Sequence, residues 1–515
     1  MAVATDLHLR NGPKAAEIQG DILAGLNKDY RVYLFLEFPD QAKGRAWLQE
    51  VIPYIAMTNE VAPFNEAFSA AKALNNGADP KNMKATWVNI SFTYQGLKLF
   101  LKIDPTPALQ ASGITSFVAG PLSAGSVTGN GDTGPSDPKN WVVGNANQTI
   151  HAMLNIQSDT QTDLASQVQE LKAIGAKHNV TIVHEQAGAT LTGSLRGHEH
   201  FGYKDGISQP GVAGFNPPDP NVPPSDPTAI LGDVLGNPGT EIIAAGEFIL
   251  GEPDENGQIF SSTGLEWMAN GTFQVFRRLN QDVPGFNKQQ DDTVNGLPAG
   301  HPLDVPGLLG AKFVGRWKSG TPVDLSPSVN INPADNSNNN FDSMHESAFG
   351  SLAADDHGFR GPRFAHIRKV YPRQQNFAGG RQHRIIRRGV PFGLAFDPNG
   401  GPGHDANSER GLLFFAYMTS IEDRFEFLMK AWVNNPKFPQ SSSGPNPVPG
   451  GDPGPGLPGP DPVIGLDQPA VPNSLHIDGQ ADIDKVFEGF VHTTGTMYAF
   501  VPSRTTLQGL ANGTL

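Results

Sequence analysis

The chain contains no cysteine. That excludes disulfides, thiolate metal sites, cysteine nucleophiles and a thiolate-ligated haem. It also lacks any apolar run of the roughly 18 residues that a membrane-spanning helix needs. Positive charge is scarce, with 37 Lys and Arg against 51 Asp and Glu and a net charge of −14. This argues against nucleic acid or an anionic membrane as a partner, since both require positive charge at the contact. The opening residues Met1-Ala2-Val3-Ala4-Thr5-Asp6 lack the basic-then-apolar layout of a secretory signal. An intracellular chain and one whose numbering follows processing both stay open. Five sequons, at Asn89, Asn147, Asn179, Asn270 and Asn512, suit secretion, although a few arise by chance in a chain of this length. What is abundant is glycine and proline, 59 and 44 residues, which implies many turns and long loops. At 515 residues, two packed units are expected.

In order, Arg31 to Phe38 predicts a buried strand of β-branched and aromatic residues. Asp40 fits as the N-cap of a helix carrying Trp47, Val51 and Ile52. Trp87 to Thr93 alternates as a second strand, followed by a short apolar helix around Leu97 to Leu101. The Gly/Ser-rich stretch from Gly120 to Gly144 reads as loop. His151 to Ile156 predicts a strand, Leu164, Val168, Leu171 and Ile174 mark one face of a helix, and Asn179 to Val183 closes the unit. In the second unit, Pro217 to Pro227 is a proline-rich loop, and Gly271 to Arg278, Ile385 to Arg387 and Leu412 to Tyr417 are strands. Ser420 and Asp423 form a capping box for a helix bearing Ile421, Phe425, Leu428 and Trp432. Pro436 to Pro462 is a surface excursion, and Met497 to Val501 is the last strand. The expected fold class is α+β, with two ferredoxin-like antiparallel-sheet units over residues 1–195 and 196–515.

Three segments carry candidate chemistry. Gly202-Tyr203-Lys204-Asp205-Gly206 is a tight turn whose glycines let the backbone aim Asp205 at a nearby group; an ordinary turn is the other reading. His366 lies among Phe364, Ala365 and Ile367, with Arg368, Lys369 and Arg373 just after it. A neutral imidazole in an apolar setting suits haem iron and the cations suit two propionates, while a surface loop has the same look. In Ile385-Ile386-Arg387-Arg388-Gly389 one of the adjacent arginines should point inward and seek an anion, either Asp205 or a ligand, or else serve a structural ion pair. An alternative of another kind is His198-Glu199-His200, whose alternating histidines could share a non-haem metal on a strand, without a third ligand in sight.

Together these segments resemble the dye-decolorising peroxidase family, in particular its long fungal members, over most of the chain. Ile18-Gln19-Gly20-Asp21-Ile22-Leu23 is similar to the family's opening motif, and Gly202 to Gly206 matches its GxxDG signature, extended by Ile207-Ser208-Gln209-Pro210. Gly315-Arg316-Trp317-Lys318-Ser319-Gly320, Ala365 to Lys369 and Arg384 to Arg387 match as well. Gly361 departs from the pattern, since relatives often carry cysteine there.

The resemblance implies haem b in the C-terminal unit, with His366 as proximal ligand, Asp205 as distal acid–base and Arg387 as distal cation. It makes Arg373 a propionate partner, Leu412 and Phe414 walls of the distal pocket, and Asp461 the acceptor of the His366 ring N–H. Ordinary sheet core and a loop aspartate are the other readings of these last three. The implied activity is peroxide-dependent, one-electron oxidation of dyes, phenols and related aromatics. Asp205 would move a proton between the peroxide oxygens while Arg387 stabilises developing charge. Carboxylates titrate well below histidine, so activity at low pH is expected. Trp432, ahead of Asn434-Asn435-Pro436, is similar to a tryptophan linked in relatives to surface oxidation of bulky substrates, and its helical spacing equally suits the core. Tyr371 is a further aromatic near the proximal segment. Relatives that bind manganese carry acidic residues there, where this chain has Gln374, Gln375, Asn376 and Phe377. The resemblance suggests an extracellular protein and is compatible with a homodimer. A haem-binding protein without turnover is the competing class, separable by peroxide consumption.

Overall fold

The computed structural model describes the chain except residues 1–5, 220–238, 332–338, 340, 342–354, 356–357, 374–379, 402, 406–407, 440–456, 467–470, 478–479, 481 and 488. The first four strands are β1 (Tyr30–Glu37), β2 (Thr86–Phe92), β3 (Ala152–Ser158) and β4 (Thr181–Ala189). They pair antiparallel in the order β4-β1-β3-β2. Helix α1 (Gln41–Val51) follows β1 and α2 (Gln161–Lys177) follows β3, giving the βαββαβ connectivity of a ferredoxin-like unit. Asp40 caps α1 by accepting from the Lys43 N–H at 2.8 Å.

The second group is β5 (Thr272–Gln281), β6 (Ile386–Arg387), β7 (Val390–Phe392), β8 (Gly411–Met418) and β9 (Val491–Val501), ordered β9-β5-β8-β6 with β7 also on β8. The topology repeats although the sequence does not. Among the described residues, a single register pair, Phe500 with Phe92, joins the two groups into one nine-stranded sheet. The far edges also approach closely, because a Cβ on Gly188 of β4 would lie 2.8 Å from Val390 of β7.

Strand alternation then divides the core. Tyr33 and Phe35 of β1, Phe276 of β5 and Leu413 and Phe415 of β8 pack between the two sheet halves. The opposite faces take the helices, with Leu34, Leu154, Val275 and Tyr498 in one continuous cluster. On β8 the intervening residues Leu412 and Phe414 are half-buried and open onto a cavity.

Three expectations shift. The 120–144 stretch is not all loop: Ala124–Asn130 is helical, capped by Ser123 and tied by the Ser126 hydroxyl to Glu426 at 2.6 Å. Tertiary contact there outweighs weak local propensity. The helix after Ser420 is wound as two π-helical segments, Ile421–Glu426 and Leu428–Val433, with Ser420 capping the Asp423 N–H at 3.0 Å as expected. β4 runs to Ala189, beyond the apolar residues that marked it. Most of the Pro217 to Pro227 loop and of the Pro436 to Pro462 excursion, and all of Gln374 to Phe377, lie outside the described residues.

Candidate active site

His366 opens a short helix, α4 (His366–Val370), which follows α3 (Val283–Asn295) in the second unit. Phe364, just before it, is buried against Phe313 and Phe487 and fixes the entry of the chain. Arg368 and Lys369 turn away from the cavity. The Arg368 guanidinium donates to the Gly361 and Asp355 carbonyls, and the Lys369 ammonium to the Trp432 and Asn435 carbonyls at 3.1 and 2.7 Å. Both therefore anchor α4 from behind, and of the cations after His366 it is Arg373 that lines the cavity. Burial pushes the Lys369 amine down to about 7.

The His366 ring lines that cavity. Its Nδ1 lies 2.8 Å from Oδ2 of the fully buried Asp461. A carboxylate accepts, so Nδ1 carries the proton and Nε2 keeps its lone pair. The other Asp461 oxygen accepts from the Val463 and Ile464 N–H groups at 2.8 and 3.1 Å, which fixes the carboxylate and through it the ring.

Asp205 and Arg387 line the same cavity. Gly202 and Gly206, at φ of 90° and 76°, allow the turn that carries Asp205. Its Oδ1 accepts from the Gly206 N–H at 2.6 Å and from Arg387 Nη1 at 3.2 Å. Gln209 clasps the Arg387 backbone, donating to its carbonyl at 3.0 Å and accepting from its N–H at 3.1 Å. Of the arginine pair, Arg387 is the one on the cavity. Arg388 points to the other side, donating to the carbonyls of Asp21, Ile22 and Leu23 at 2.8, 3.0 and 2.9 Å. The opening Ile18 to Leu23 motif is thus the socket for Arg388.

Leu412 and Phe414 wall the cavity, as do Ile367, Val370, Leu428 and Met429. A cationic rim completes it. Arg373, at a φ of 56°, stacks 3.9 Å from the Phe341 ring centroid and donates to Asn339 at 2.7 Å. Arg384 stacks 3.5 Å from the Tyr371 ring centroid. Arg316 donates to the Gly320 carbonyl at 2.9 Å, and burial beside Arg373 pulls it down to about 9. The sequence reading assigned no role to Arg316, although it stands in the Gly315 to Gly320 motif that resembles the family. It also missed Asp132, which pairs with Arg277 in the cavity wall, both buried. Burial raises the Asp132 carboxyl despite that partner. Tyr371 lines the cavity too, its hydroxyl donating to Glu241, and burial pushes it up to about 12.

Two expectations are corrected. His198 and His200 are directed to different partners: His198 Nδ1 donates to the Arg196 carbonyl at 3.0 Å, and His200 Nε2 to the Phe392 carbonyl at 2.8 Å. Burial pushes His200 down to about 4, and no cluster of three metal-ligating side chains exists among the described residues. Trp432 is not at the surface. It is 2 % exposed and stacked on Phe438 at 4.9 Å, in a small buried cluster with Leu428 and Phe438. Its edge meets His383, a cavity residue, at 5.6 Å between ring centroids.

A histidine with one engaged and one free nitrogen, apolar walls and a rim of arginines fits an iron porphyrin with two propionates. The family model for the DyP dimeric alpha+beta barrel domain matches residues 17–191. A dye-decolorizing peroxidase from Mycetinis scorodonius is 32% identical, the match covering 96% of this chain and 86% of that one. A second, from Auricularia auricula-judae, is 29% identical over the same shares. The structure of an ancestral D-type dye-decolorizing peroxidase matches with a TM-score of 0.73 and 32% identity, covering 96% of this chain and 98% of that one. Another, a dye-decolorizing peroxidase with a heme pocket engineered for asymmetric sulfoxidation, matches with a TM-score of 0.71 and 28% identity, covering 96% and 99%. The fold and these relatives define a haem peroxidase of α+β barrel architecture. The chain belongs to the dye-decolorizing peroxidase family, whose members use hydrogen peroxide to oxidise dyes and other reducing substrates. No helix among the described residues is long and apolar enough to cross a membrane.

Proposed function

We propose that this protein binds haem b through His366 Nε2 and reduces hydrogen peroxide with Asp205 and Arg387, oxidising dyes, phenols and related aromatics one electron at a time. The observation that carries this reading is the Asp205–Arg387 pair in the same cavity as a histidine whose Nδ1 is held by a buried carboxylate. Mere storage of haem needs the histidine but no acid–base pair beside it. The haem supplies the redox-active iron. Asp205 takes a proton from one peroxide oxygen and returns it to the other, so that water leaves. Arg387 stabilises the negative charge that develops on the departing oxygen. Asp461 holds the His366 ring in orientation and makes Nε2 a stronger donor. Arg373, with Arg316 beside it, would hold the propionates, and Leu412 and Phe414 exclude bulky groups from Asp205. Trp432 acts as an internal relay, reached from the cavity through His383, rather than as the point of contact with a dye.

The halves 1–195 and 196–515 are taken as the two domains, the second carrying the haem. An extracellular location and a homodimer complete the reading; the exposed sequons at Asn147, Asn179 and Asn512 support the former, whereas Asn89 is buried. The test is a Soret spectrum of the haem-loaded protein followed by stopped-flow mixing with peroxide. Asp205→Asn and Arg387→Leu should keep the haem and slow the peroxide reaction by about 10²–10³-fold. Unchanged rates in both would leave a haem-binding protein without this distal chemistry.

A further inference from the structure

The aspartate turn contains a second carboxylate that the mechanism above does not use. Glu199 lies in the wall between the haem cavity and a neighbouring cavity lined by Arg31, His198 and Gln209, and both cavities also reach Asp205 and Arg387. Glu199 Oε1 accepts from the Tyr203 N–H at 2.8 Å, and Oε2 from the Phe201 N–H at 2.8 Å and the Gln281 side-chain amide at 2.5 Å. Its own backbone closes the same turn, its N–H donating to the Tyr203 carbonyl at 3.0 Å and its carbonyl accepting from the Gly202 N–H at 2.9 Å. From the outside, Phe201 stacks on Phe286 at 4.2 Å and Tyr203 meets Phe286 edge-on at 6.3 Å. The turn is therefore held by an aromatic cluster on one side and by one carboxylate within it. Asp205 follows two residues after Tyr203, its N–H bonded to the Gly197 carbonyl at 3.2 Å.

All three of these neighbours donate to the Glu199 carboxylate. Only a carboxylate satisfies them all, because an amide in its place would set its own donors against at least one N–H. Keeping the carboxylate there is costly: burial pushes Glu199 up to about 7, and the three donors pull in the opposite direction. A buried carboxylate held at such cost next to the acid–base residue calls for a reason.

We propose that Glu199 is a positioning residue for peroxide reduction, holding the 199–206 turn so that Asp205 stays in register with Arg387. The proposal rests on the role assigned to Asp205. A displacement of the acid–base group of the order of 1 Å is enough to lower the rate by up to 10²-fold. Glu199 touches neither peroxide nor cofactor in this scheme and acts through Asp205 alone.

The test is a double-mutant cycle on the haem-loaded protein, run above about pH 7 where Glu199 is ionised. Glu199→Gln, Asp205→Asn and the pair are mixed with peroxide, and the second-order rate constant is read from the Soret change. Glu199→Gln should keep haem occupancy, lower that constant about tenfold and raise the KM for peroxide, while kcat for dye oxidation at saturating peroxide is retained. In the Asp205→Asn background the same substitution should change the constant by less than about twofold, since there is no longer a carboxylate to position. A purely structural role would lower both backgrounds alike. If Glu199→Gln folds poorly, Gln281→Leu removes one of the three bonds and should give a smaller loss with the same dependence on Asp205. A slow Asp205→Asn beside a normal Glu199→Gln, or equal losses in both backgrounds, overturns the proposal and leaves the distal assignment standing. A normal Asp205→Asn overturns both.

Discussion

At the scale of single residues, the chemistry depends on which atom of a side chain is left over. His366 offers Nε2 because Asp461 occupies Nδ1, and Asp461 can do so because two backbone N–H groups hold its other oxygen. The histidine and the aspartate are 95 residues apart, so no local pattern joins them. The arginines show the same dependence. Arg387 and Arg388 are chemically alike and adjacent, and strand alternation sends one to the cavity and the other to the carbonyls of Asp21, Ile22 and Leu23. Haem retention should depend on the histidine above all. We expect His366→Ala to lose most of the bound haem, because no cysteine is present to replace the ligand and the remaining contacts are non-covalent. Reconstitution followed by the ratio of Soret to protein absorbance checks this, and full occupancy with an unchanged spectrum would move the ligand elsewhere.

At the scale of elements, α4 is five residues long and too short to be stable by itself. Lys369 ties it to the end of the π-helical segment Leu428–Val433, where its amine lies buried and, among the described residues, bonds to carbonyls and to no carboxylate. Its folded pKa, about 7, lies below the ordinary value of 10.5. The folded state therefore binds fewer protons between these values, and the stability contribution is complete above 10.5 and lost as pH falls through about 7. Lys369→Met should remove that slope. Denaturant unfolding from pH 7 to 10 should show wild type gaining on the variant by an amount on the order of a few kcal/mol, and parallel curves would contradict it. The same helix pair carries Trp432. Trp432→Phe keeps an aromatic ring against Phe438, so stability should change by only about 1–2 kcal/mol. Turnover of bulky dyes should fall while turnover of small phenols holds, if the relay runs from His383 through the indole. Equal rates for both substrate classes would make Trp432 packing alone.

At the scale of the whole molecule, two ferredoxin-like groups share one sheet and one core. Leu34 and Leu154 from the first group lie in the same cluster as Val275 and Tyr498 from the second. Arg388 in the second group bonds to Asp21 near the start of the chain, and Tyr417 donates to the Asp21 side chain at 2.7 Å. We therefore expect thermal unfolding of the haem-free protein to be a single calorimetric transition in spite of its length, and two separated transitions would show independent halves.

The sequence by itself determined the kinds of element and most of their positions, because period-two strands and capped helices are written in neighbouring residues: β1, β2, β3, β5, β8 and β9 all overlap their expected spans. The family resemblance of its motifs, rather than the residues alone, pointed to His366, Asp205 and Arg387, which line one cavity. The sequence could not decide exposure, and so it left Trp432 between surface and core. It left open, as an alternative, a metal shared by His198 and His200, whose rings bond to different carbonyls. It assigned nothing to Arg316, Asp132 or Glu199. Those outcomes belong to the tertiary structure, since Asp205 meets Arg387 across 182 residues of chain, and burial, pairing and donor count exist only after such distant segments are packed together.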